Sequence, residues 1–274
     1  VTKSIISILL GIALDRGCLG SIDQQVLEFF PEYTPKRGEK TIQNITIRDM
    51  LTMTAPYKYR STPYTKYFTS PDWVRFSLDL LGGKGPVGEF RYAPLIGPDI
   101  LTGILTRVTG QSVLDFAKEP LFAPLGIPVE QSITFRSREE LMAFYKSTDL
   151  RVWAADPMGV NAGGWGLTLS PMDMANIGEL ILHGGVYDGT RIVSEKWVRE
   201  STAEQSRWAE RDLPYGYLWW VLPQEHGFAA MGDGGNALYV SPDKNLVAAI
   251  TSRFQPRVKD RIELIRTYVA PCFD

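Results

Sequence analysis

The sequence predicts an α+β fold, in which helices cover an antiparallel sheet. Two observations support this class. Helix signals prevail up to about Gly184, and strand-like runs then follow one another and end in an amphipathic helix. No internal repeat or long linker is visible. The 274 residues are 44% hydrophobic and 22% charged with a net charge of −2, which is sufficient for a large core in one or two domains.

The first predicted element is a helix that begins beside Lys3 and continues through an apolar run, residues 5–14. Ser7 is the only polar residue of this run, so the helix is expected to be buried on most sides. The helix dipole opposes a lysine in the first turn, and its presence there requires an explanation. A secretory signal peptide is one alternative, but Asp15 and Arg16 follow at once and no A-x-A cleavage site is present. The run is too short to cross a membrane, which takes about 20 apolar residues.

Capping signals mark the start of the next helices. TIRD at 46–49 has the form of a capping box before MLTMT, and SPD at 70–72 supplies a cap, a proline and an acid before WVRFSLDLL. SPMD at 170–173 repeats the device before MANIGELILHGG. A further apolar helix is predicted over residues 100–108, and another begins within residues 112–117.

The last part of the chain reads as strands. TRIVSEKWVREST predicts a short strand and a helix, and the successive strands are YGYLWWVL, GFAAMG, GNALYVSP and NLVAAITSR. A turn at 243–245 joins the last two strands as a hairpin. The closing helix, VKDRIELIRTYVA, carries one apolar face made of Ile262, Ile265 and Val269.

The change from helix signals to strand signals predicts two domains. Residues 1–20 and 160–274 would form a discontinuous sheet domain, and residues 21–159 a mainly helical one. The most irregular segment is GGKGPVGEFRYAPLIGP, and irregular segments on a rigid scaffold often carry function.

Several classes of function are disfavoured by composition. The near-neutral charge and the absence of a basic stripe argue against nucleic acid as a partner. No HExxH or EF-hand pattern is present, and no cofactor or metal is expected. Cys18 and Cys272 stand near opposite ends of the chain and give neither a disulfide framework nor a zinc spacing.

Histidine chemistry is limited to His183 and His226, because the chain has no other histidines. His183 precedes a glycine pair at the predicted end of a helix, where a capping role is favoured. His226 reads as a loop residue before a strand. No G-x-S-x-G elbow occurs, which lowers the odds of an α/β-hydrolase.

The order of these signals resembles the serine β-lactamase and penicillin-binding-protein superfamily. The similarity is strongest to its class C β-lactamase and D-alanyl-D-alanine carboxypeptidase-like branch. It covers nearly the whole chain through TKSIISILLGIALDRG, ITIRDMLTMTAP, VGEFRYAP, LTGILTRVTG, PLFAPLGI, AGGWGLTLSPMDMANIGELILHGGVYDGTRIVSEKWV, YGYLWW and MGDGGNALYVSPDKNLVAAITS. The resemblance implies an antiparallel sheet flanked by helices plus a helical domain.

The first family motif, S-x-x-K, places a nucleophilic serine and a lysine on one face of a buried helix. Its last three positions match residues 1–3, so the resemblance implies that Lys3 is the catalytic lysine and that the serine would precede Val1. Ser241 and Lys244 also fit the pattern, but Ser-Pro-Asp favours a turn there. Ser4 and Ser7 are interpreted as helix-packing hydroxyls.

The second motif, Y-x-N, resembles Tyr92-Ala93-Pro94. In the family the tyrosine is a proton shuttle or general base, and the asparagine binds substrate. Pro94 has no side-chain amide to offer. Alternatively, Tyr92 is a buried aromatic residue whose hydroxyl bonds to the backbone.

The third motif, K-T-G or H-x-G on a strand at the cleft, aligns with Asp233-Gly234-Gly235. The resemblance implies that the backbone N–H of Asn236 completes the oxyanion hole. Asp233 reverses the usual charge of the motif and would repel a substrate carboxylate; alternatively, it is a turn residue. Trp165, in GGWG, either lines the cleft or packs in the core.

The leading hypothesis is a serine hydrolase that acts on an amide, ester or lactam through an acyl-enzyme. Its partner is a small-molecule or peptide substrate. A second hypothesis is a catalytically inactive penicillin-recognising fold used for binding or regulation. A third is an unrelated hydrolase based on His226, which requires an acid-paired histidine beside a serine.

Overall fold

The computed structural model describes residues 1–253 and 258–273. The helices lie at Thr2–Asp15 (α1), Ile47–Leu51 (α2), Tyr64–Phe68 (α3), Trp73–Leu80 (α4), Ile96–Thr109 (α5), Val113–Ala117 (α6), Arg138–Lys146 (α7), Pro171–Leu182 (α8), Glu195–Ser201 (α9) and Arg261–Leu264 (α10). The strands lie at Gln131–Ile133 (β1), Val152–Ala154 (β2), Val186–Tyr187 (β3), Thr190–Arg191 (β4), Ser206–Trp208 (β5), Leu213–Tyr215 (β6), Trp220–Leu222 (β7), Gly227–Met231 (β8), Ala237–Ser241 (β9) and Leu246–Ile250 (β10).

The main sheet has six strands in the order β10-β9-β8-β7-β6-β5, and every neighbouring pair is antiparallel. Successive strands are therefore neighbours, which is the arrangement that short connections favour. α8 packs against β9 and β10. The fold is α+β, as the sequence predicts.

The two faces of this sheet alternate along each strand. Phe228 and Ala230 of β8 join the larger apolar core with α1, α5 and α8, whereas Ala229 faces a smaller core with Ile262 and Ile265 at the end of the chain. Because side chains of a strand point alternately to opposite faces, helices cover the sheet on both sides.

Helix α1 is enclosed on nearly all sides, as its apolar composition predicts. Its residues from Thr2 to Ala13 are buried. The Ser4 hydroxyl donates to the carbonyl of Leu218 at 2.8 Å, and the Trp197 indole donates to the carbonyl of Ser7 at 3.0 Å. These contacts fix α1 against the β6–β7 connection and α9.

Local capping chemistry sets several helix starts. Thr46 and Ser170 each form a reciprocal capping box with an acid three residues later, and Ser112 caps α6. For α4 the expectation about residues 70–72 is wrong in detail. Asp72 is the cap and accepts from the N–H of Arg75 at 2.7 Å, so the helix starts after the proline.

Two segments differ from the predicted elements. YGYLWWVL is not one strand, because the chain leaves β6 at Tyr215, passes Leu218 with a φ of +62° and resumes pairing in β7. The run REELMAFYK forms α7, which the sequence reading omitted although Ser137 caps it. β1 and β2 pair in parallel, apart from the main sheet.

The end of the chain is helical, but its α-helix is shorter than the predicted one. Asp260 caps α10, which continues as a π-helical turn over Ile265–Val269 and a 3₁₀ turn over Ala270–Phe273. In the part of the chain described here, no helix has the length and apolar character needed to cross a bilayer. The division into two domains stays a prediction.

Candidate active site

The side chain of Lys3 lies at the start of α1 and is nearly enclosed, with 8% of the residue exposed. Its ammonium Nζ donates to the carbonyl of Gly164 at 3.3 Å and lies 5.5 Å from the centroid of the Tyr92 ring. A cation at this distance from an aromatic ring is attracted by the ring. The structure therefore brings together two of the residues that the sequence selects.

Tyr92 is half-buried on the segment that leads into α5. Its ring stacks on Trp208 at 6.2 Å with an interplanar angle of 10°, and it contacts Trp220 at 5.4 Å and Tyr215 at 6.5 Å. The ring is thus held by the edge of the main sheet while its other side faces Lys3.

A close backbone contact joins the segment after Tyr92 to Gly163 and Gly164. A Cβ at Gly163 would lie 2.1 Å from the carbonyl oxygen of Pro98, and one at Gly164 would lie 2.1 Å from that of Pro94. Any side chain at these positions would clash with backbone, so both positions require glycine. Pro94, which replaces the amide of the family motif, contributes its carbonyl to this contact.

The third motif lies in the connection between β8 and β9 and not on a strand, which corrects the expectation. Asp233–Gly235 form a single 3₁₀-like turn, and β9 begins at Ala237. Gly234 and Gly235 have φ of +78° and +95°, where glycine is favoured because it lacks a Cβ. Asp233 is a turn residue, which is the alternative considered for it in the sequence. Its side chain is exposed and accepts from the N–H of Gly234 at 3.0 Å.

This turn borders the beginning of α1. A Cβ at Gly232 would lie 3.2 Å from Cβ of Asn236 and 3.4 Å from the nitrogen of Val1. Within the described residues, no backbone carbonyl accepts from the N–H of Asn236.

Ser252 and Arg261 contact the 233–235 turn, and neither residue was selected from the sequence. Ser252 donates its hydroxyl to the carbonyl of Gly234 and its N–H to Oδ1 of Asn236 at 2.9 Å. A Cβ at Gly235 would lie 3.1 Å from Nε of Arg261, a buried nitrogen without an acceptor among the described residues. The one sequence signal for a role of Arg261 is its position at the start of the closing helix.

Trp165 packs in an aromatic cluster beside the lysine. Its indole N–H donates to the Tyr67 hydroxyl at 3.1 Å, and its ring stacks on Phe135 at 5.9 Å and on Tyr145 of α7 at 6.2 Å. Burial, and secondarily the charge of Asp233, raises the pKa of Tyr145 to about 12. The carboxylate of Asp233 is therefore near enough to Tyr145 of α7 to act on it electrostatically.

Asp99 is a buried acid of α5 that the sequence reading did not select. It is 1% exposed, and its Oδ1 accepts from the N–H of Gly163 at 2.8 Å. Burial raises its pKa to about 7, against the opposing effects of Tyr67, the Gly163 N–H and Lys3. The available signal was an acid within an otherwise apolar helix, IGPDILTGIL.

The other serines considered above are not placed for nucleophilic attack. Ser4 is bound to Leu218, Ser7 is fully buried on the same helix, and Ser241 is fully buried at the end of β9. Ser241 lies at the far end of the β8–β9 hairpin from Asn236.

The histidines contribute nothing to this cleft. His226 is paired with an acid, since its Nδ1 lies 2.7 Å from Oδ2 of Asp243, but both side chains are largely exposed. They lie at the end of the β8–β9 hairpin opposite to the 233–235 turn, and no described serine bonds to His226. His183 caps α8, with Nδ1 3.0 Å from the carbonyl of Glu179, as predicted. No cluster of His, Cys, Asp and Glu suited to a metal occurs among residues 1–253 and 258–273.

Comparison with known proteins agrees with this fold. Similar solved structures include a penicillin-binding-protein homologue from Caulobacter crescentus, with 19% identity, 93% of this chain and 76% of that chain covered, and a TM-score of 0.67. A family VIII carboxylesterase matches with 18% identity, 100% of this chain and 82% of that chain, and a TM-score of 0.69. The fold is therefore that of the serine β-lactamase and penicillin-binding-protein superfamily. A family model described as Beta-lactamase matches residues 1–270, and the chain belongs to that family.

A curated relative, the 6-aminohexanoate-dimer hydrolase of Paenarthrobacter ureafaciens, is 25% identical over 264 residues. The match covers 88% of this chain and 62% of that protein, so the chain spans less than two thirds of its relative's length. The class C and carboxypeptidase-like branch stays a prediction.

Proposed function

We propose that the full-length protein is a serine hydrolase that acts on an amide, ester or lactam through an acyl-enzyme. The observation that carries this proposal is the buried Lys3 ammonium, which faces the Tyr92 ring and the Gly164 carbonyl at the start of α1. A buried amine beside a phenol is suited to moving protons to and from a reacting hydroxyl.

The nucleophile of this proposal is a serine that directly precedes Val1. Residues three apart on a helix share a face, so this serine would stand beside Lys3. Two facts support the placement. The nitrogen of Val1 is enclosed in the same region as Lys3, and it lies next to Gly232 of the third motif.

In the proposed reaction, the serine oxygen attacks the substrate carbonyl carbon, and its proton passes to Lys3 in its neutral amine form, directly or through the Tyr92 hydroxyl. The N–H groups of the serine and Asn236 stabilise the oxyanion, and each such donor contributes about 3–4 kcal/mol in acyl transfer. The carbon–nitrogen or carbon–oxygen bond then breaks, and the leaving group takes the proton. Water repeats the sequence on the ester, which returns the serine and releases the acid.

Asp233 sets the charge that a substrate meets at the cleft. Its exposed carboxylate would repel a carboxylate next to the scissile bond, so weak turnover of ordinary β-lactams is expected. Esters and amides fit better, and two of the similar proteins described above, a dimer hydrolase and a carboxylesterase, support that choice.

A catalytically inactive binding fold is the alternative. Pro94 and Asp233 favour it, because one removes a substrate-binding amide and the other reverses a charge. The family match and the names of the relatives do not favour it over an enzyme.

The test is to label the full-length protein with a fluorophosphonate probe and to map the adduct by mass spectrometry. Attachment to a serine directly before Val1 is the expected result. No adduct, combined with no turnover of p-nitrophenyl esters, would support the binding fold instead. An adduct on Ser241 or elsewhere would refute the assignment of the site.

A further inference from the structure

The acid at Asp99 has no role in the mechanism described so far, yet its position is unusual. One carboxyl oxygen accepts from the N–H of Gly163 at 2.8 Å, and the Tyr67 hydroxyl faces the same buried carboxyl. A buried charge or an unpaired polar atom costs free energy unless something compensates it. An apolar side chain would fit the surrounding helix, which continues with Ile100 and Leu101, so packing alone does not explain an acid here.

The contact to Gly163 leads directly to the lysine. Gly163 and Gly164 are consecutive, and the carbonyl of Gly164 is the group that accepts from Nζ of Lys3 at 3.3 Å. Asp99 thus fixes the Ala162–Gly163 peptide group, and the Gly164–Trp165 peptide group, two further along the chain, holds the ammonium. On the basis of the proposed function, we infer that Asp99 is a positioning residue for Lys3, acting through the backbone of Gly163 and Gly164.

The rigidity of the pair strengthens this connection. Both glycines press against backbone carbonyls, those of Pro98 and Pro94, which belong to the segment between Tyr92 and Asp99. Two side chains anchor the Ala162–Gly163 peptide group: the Asp99 carboxyl accepts from its N–H, and the Trp153 indole donates to its carbonyl at 2.8 Å. Removing the Asp99 carboxyl would release one of these anchors and let the Gly164 carbonyl and the lysine shift together.

The negative charge of the carboxyl is a separate property from its hydrogen bond to Gly163. A variant that keeps an oxygen and loses the charge therefore distinguishes the anchor from the charge.

Three variants of the full-length protein separate these effects. Asp99→Asn keeps an oxygen for the Gly163 N–H and removes the charge, and Asp99→Ala removes both. Asp156→Ala is the matched control, because Asp156 is equally buried and accepts from the N–H groups of Trp73 and Val160, which do not lead to Lys3.

The measurement is the rate of fluorophosphonate labelling across pH 5–9, with melting temperature recorded for each variant. Asp99→Ala should slow labelling about tenfold to a hundredfold, since a small misplacement of a catalytic group has effects of that order. Asp99→Asn, which keeps an oxygen for the Gly163 N–H, should restore the rate to within about threefold of wild type. Asp156→Ala should lower the melting temperature but leave the rate of the folded protein unchanged.

The contrary outcomes are distinct. Wild-type rates in Asp99→Ala, or an equal loss in Asp156→Ala, overturn the positioning role. If Asp99→Ala does not fold, Asp99→Leu, which also removes the acceptor but fills the space, decides, and a wild-type labelling rate in this variant overturns the inference. If the wild-type protein itself is not labelled, the proposed function fails and this inference falls with it, which is a different result from a labelled wild type with an unaffected variant.

Discussion

The ammonium nitrogen of Lys3 lies 5.5 Å from the centroid of the Tyr92 ring, although one belongs to α1 and the other to the segment before α5. The ring is fixed on its other side by Trp208 of β5. Three separate parts of the chain therefore define one position. Two residues that were selected from separate sequence motifs thus lie close together, and their chemistry can be tested as one site.

Replacing Lys3 by methionine should abolish most of the labelling and esterase activity of the full-length protein. Methionine keeps the apolar stem but removes the amine that would accept the serine proton, a function worth about 10²–10⁴-fold. Labelling rate with a fluorophosphonate is the measurement. Lys244→Met is the control, because Lys244 is the lysine of the other S-x-x-K match and lies in the turn between β9 and β10. Equal losses in both variants would contradict the assignment.

Replacing Tyr92 by phenylalanine should lower kcat about a hundredfold with little change in melting temperature. The variant keeps the ring that stacks on Trp208 and faces Lys3 and removes only the hydroxyl. Ester hydrolysis and thermal unfolding are measured together. Tyr33→Phe is a control at a hydroxyl bound to Asp79, away from the cleft. If kcat of Tyr92→Phe equals that of wild type, the Tyr92 hydroxyl has no catalytic role and the residue serves only in packing.

Replacing Asp233 by asparagine should increase turnover of nitrocefin, which carries a carboxylate, more than turnover of a neutral p-nitrophenyl ester. The exposed carboxylate is expected to cost such a substrate about 1 kcal/mol at a few ångströms, which is several-fold in rate. Raising the salt concentration should reduce the difference, because exposed charges are screened. Equal changes for both substrates would argue against an electrostatic role.

Replacing Asp99 by asparagine should flatten the pH dependence of stability between about pH 4 and pH 7. Burial raises the pKa of Asp99 from 3.8 to about 7, so the folded state retains a proton that the unfolded state loses over this range. This acid therefore destabilises the fold as the pH rises from 4 to 7, by a few kcal/mol at most, and adds no further change above that range. Urea unfolding at several pH values, compared with wild type and with the exposed Asp188→Asn, measures the effect. Parallel curves for Asp99→Asn and wild type would show that Asp99 titrates normally.

The sequence predicts those features that depend on nearby residues. The capping boxes at Thr46 and Ser170, the hairpin turn at 243–245 and the burial of α1 follow from local chemistry or from an apolar run, and the structure has all of them. The family resemblance, which depends on the order of many motifs, gives the fold class. Lys3 was found because a cation at the head of an apolar helix needs a reason.

Long-range features were not predictable in the same way. The contact of Gly163 with Asp99 joins residues from distant segments, and neither has a sequence signal that names the other. The turn at Asp233–Gly235 replaced an expected strand because two consecutive glycines adopt positive φ there. The cap of α4 moved from Ser70 to Asp72 because both residues can cap, and packing against Asp156, which binds the N–H of Trp73, selects between them.

The glycine pair at 163 and 164 also limits how this protein can be redesigned. A Cβ at Gly163 would clash with the carbonyl of Pro98, and a Cβ at Gly164 would clash with that of Pro94. The loop after Tyr92 and the GGWG segment therefore depend on each other's backbone position. A mutagenesis library that varies the loop should keep both glycines, and one that varies the glycines would have to rebuild the loop's backbone as well. Changes in substrate preference are more accessible from Asp233, whose side chain is exposed on the turn beside the start of α1 and is free of that constraint.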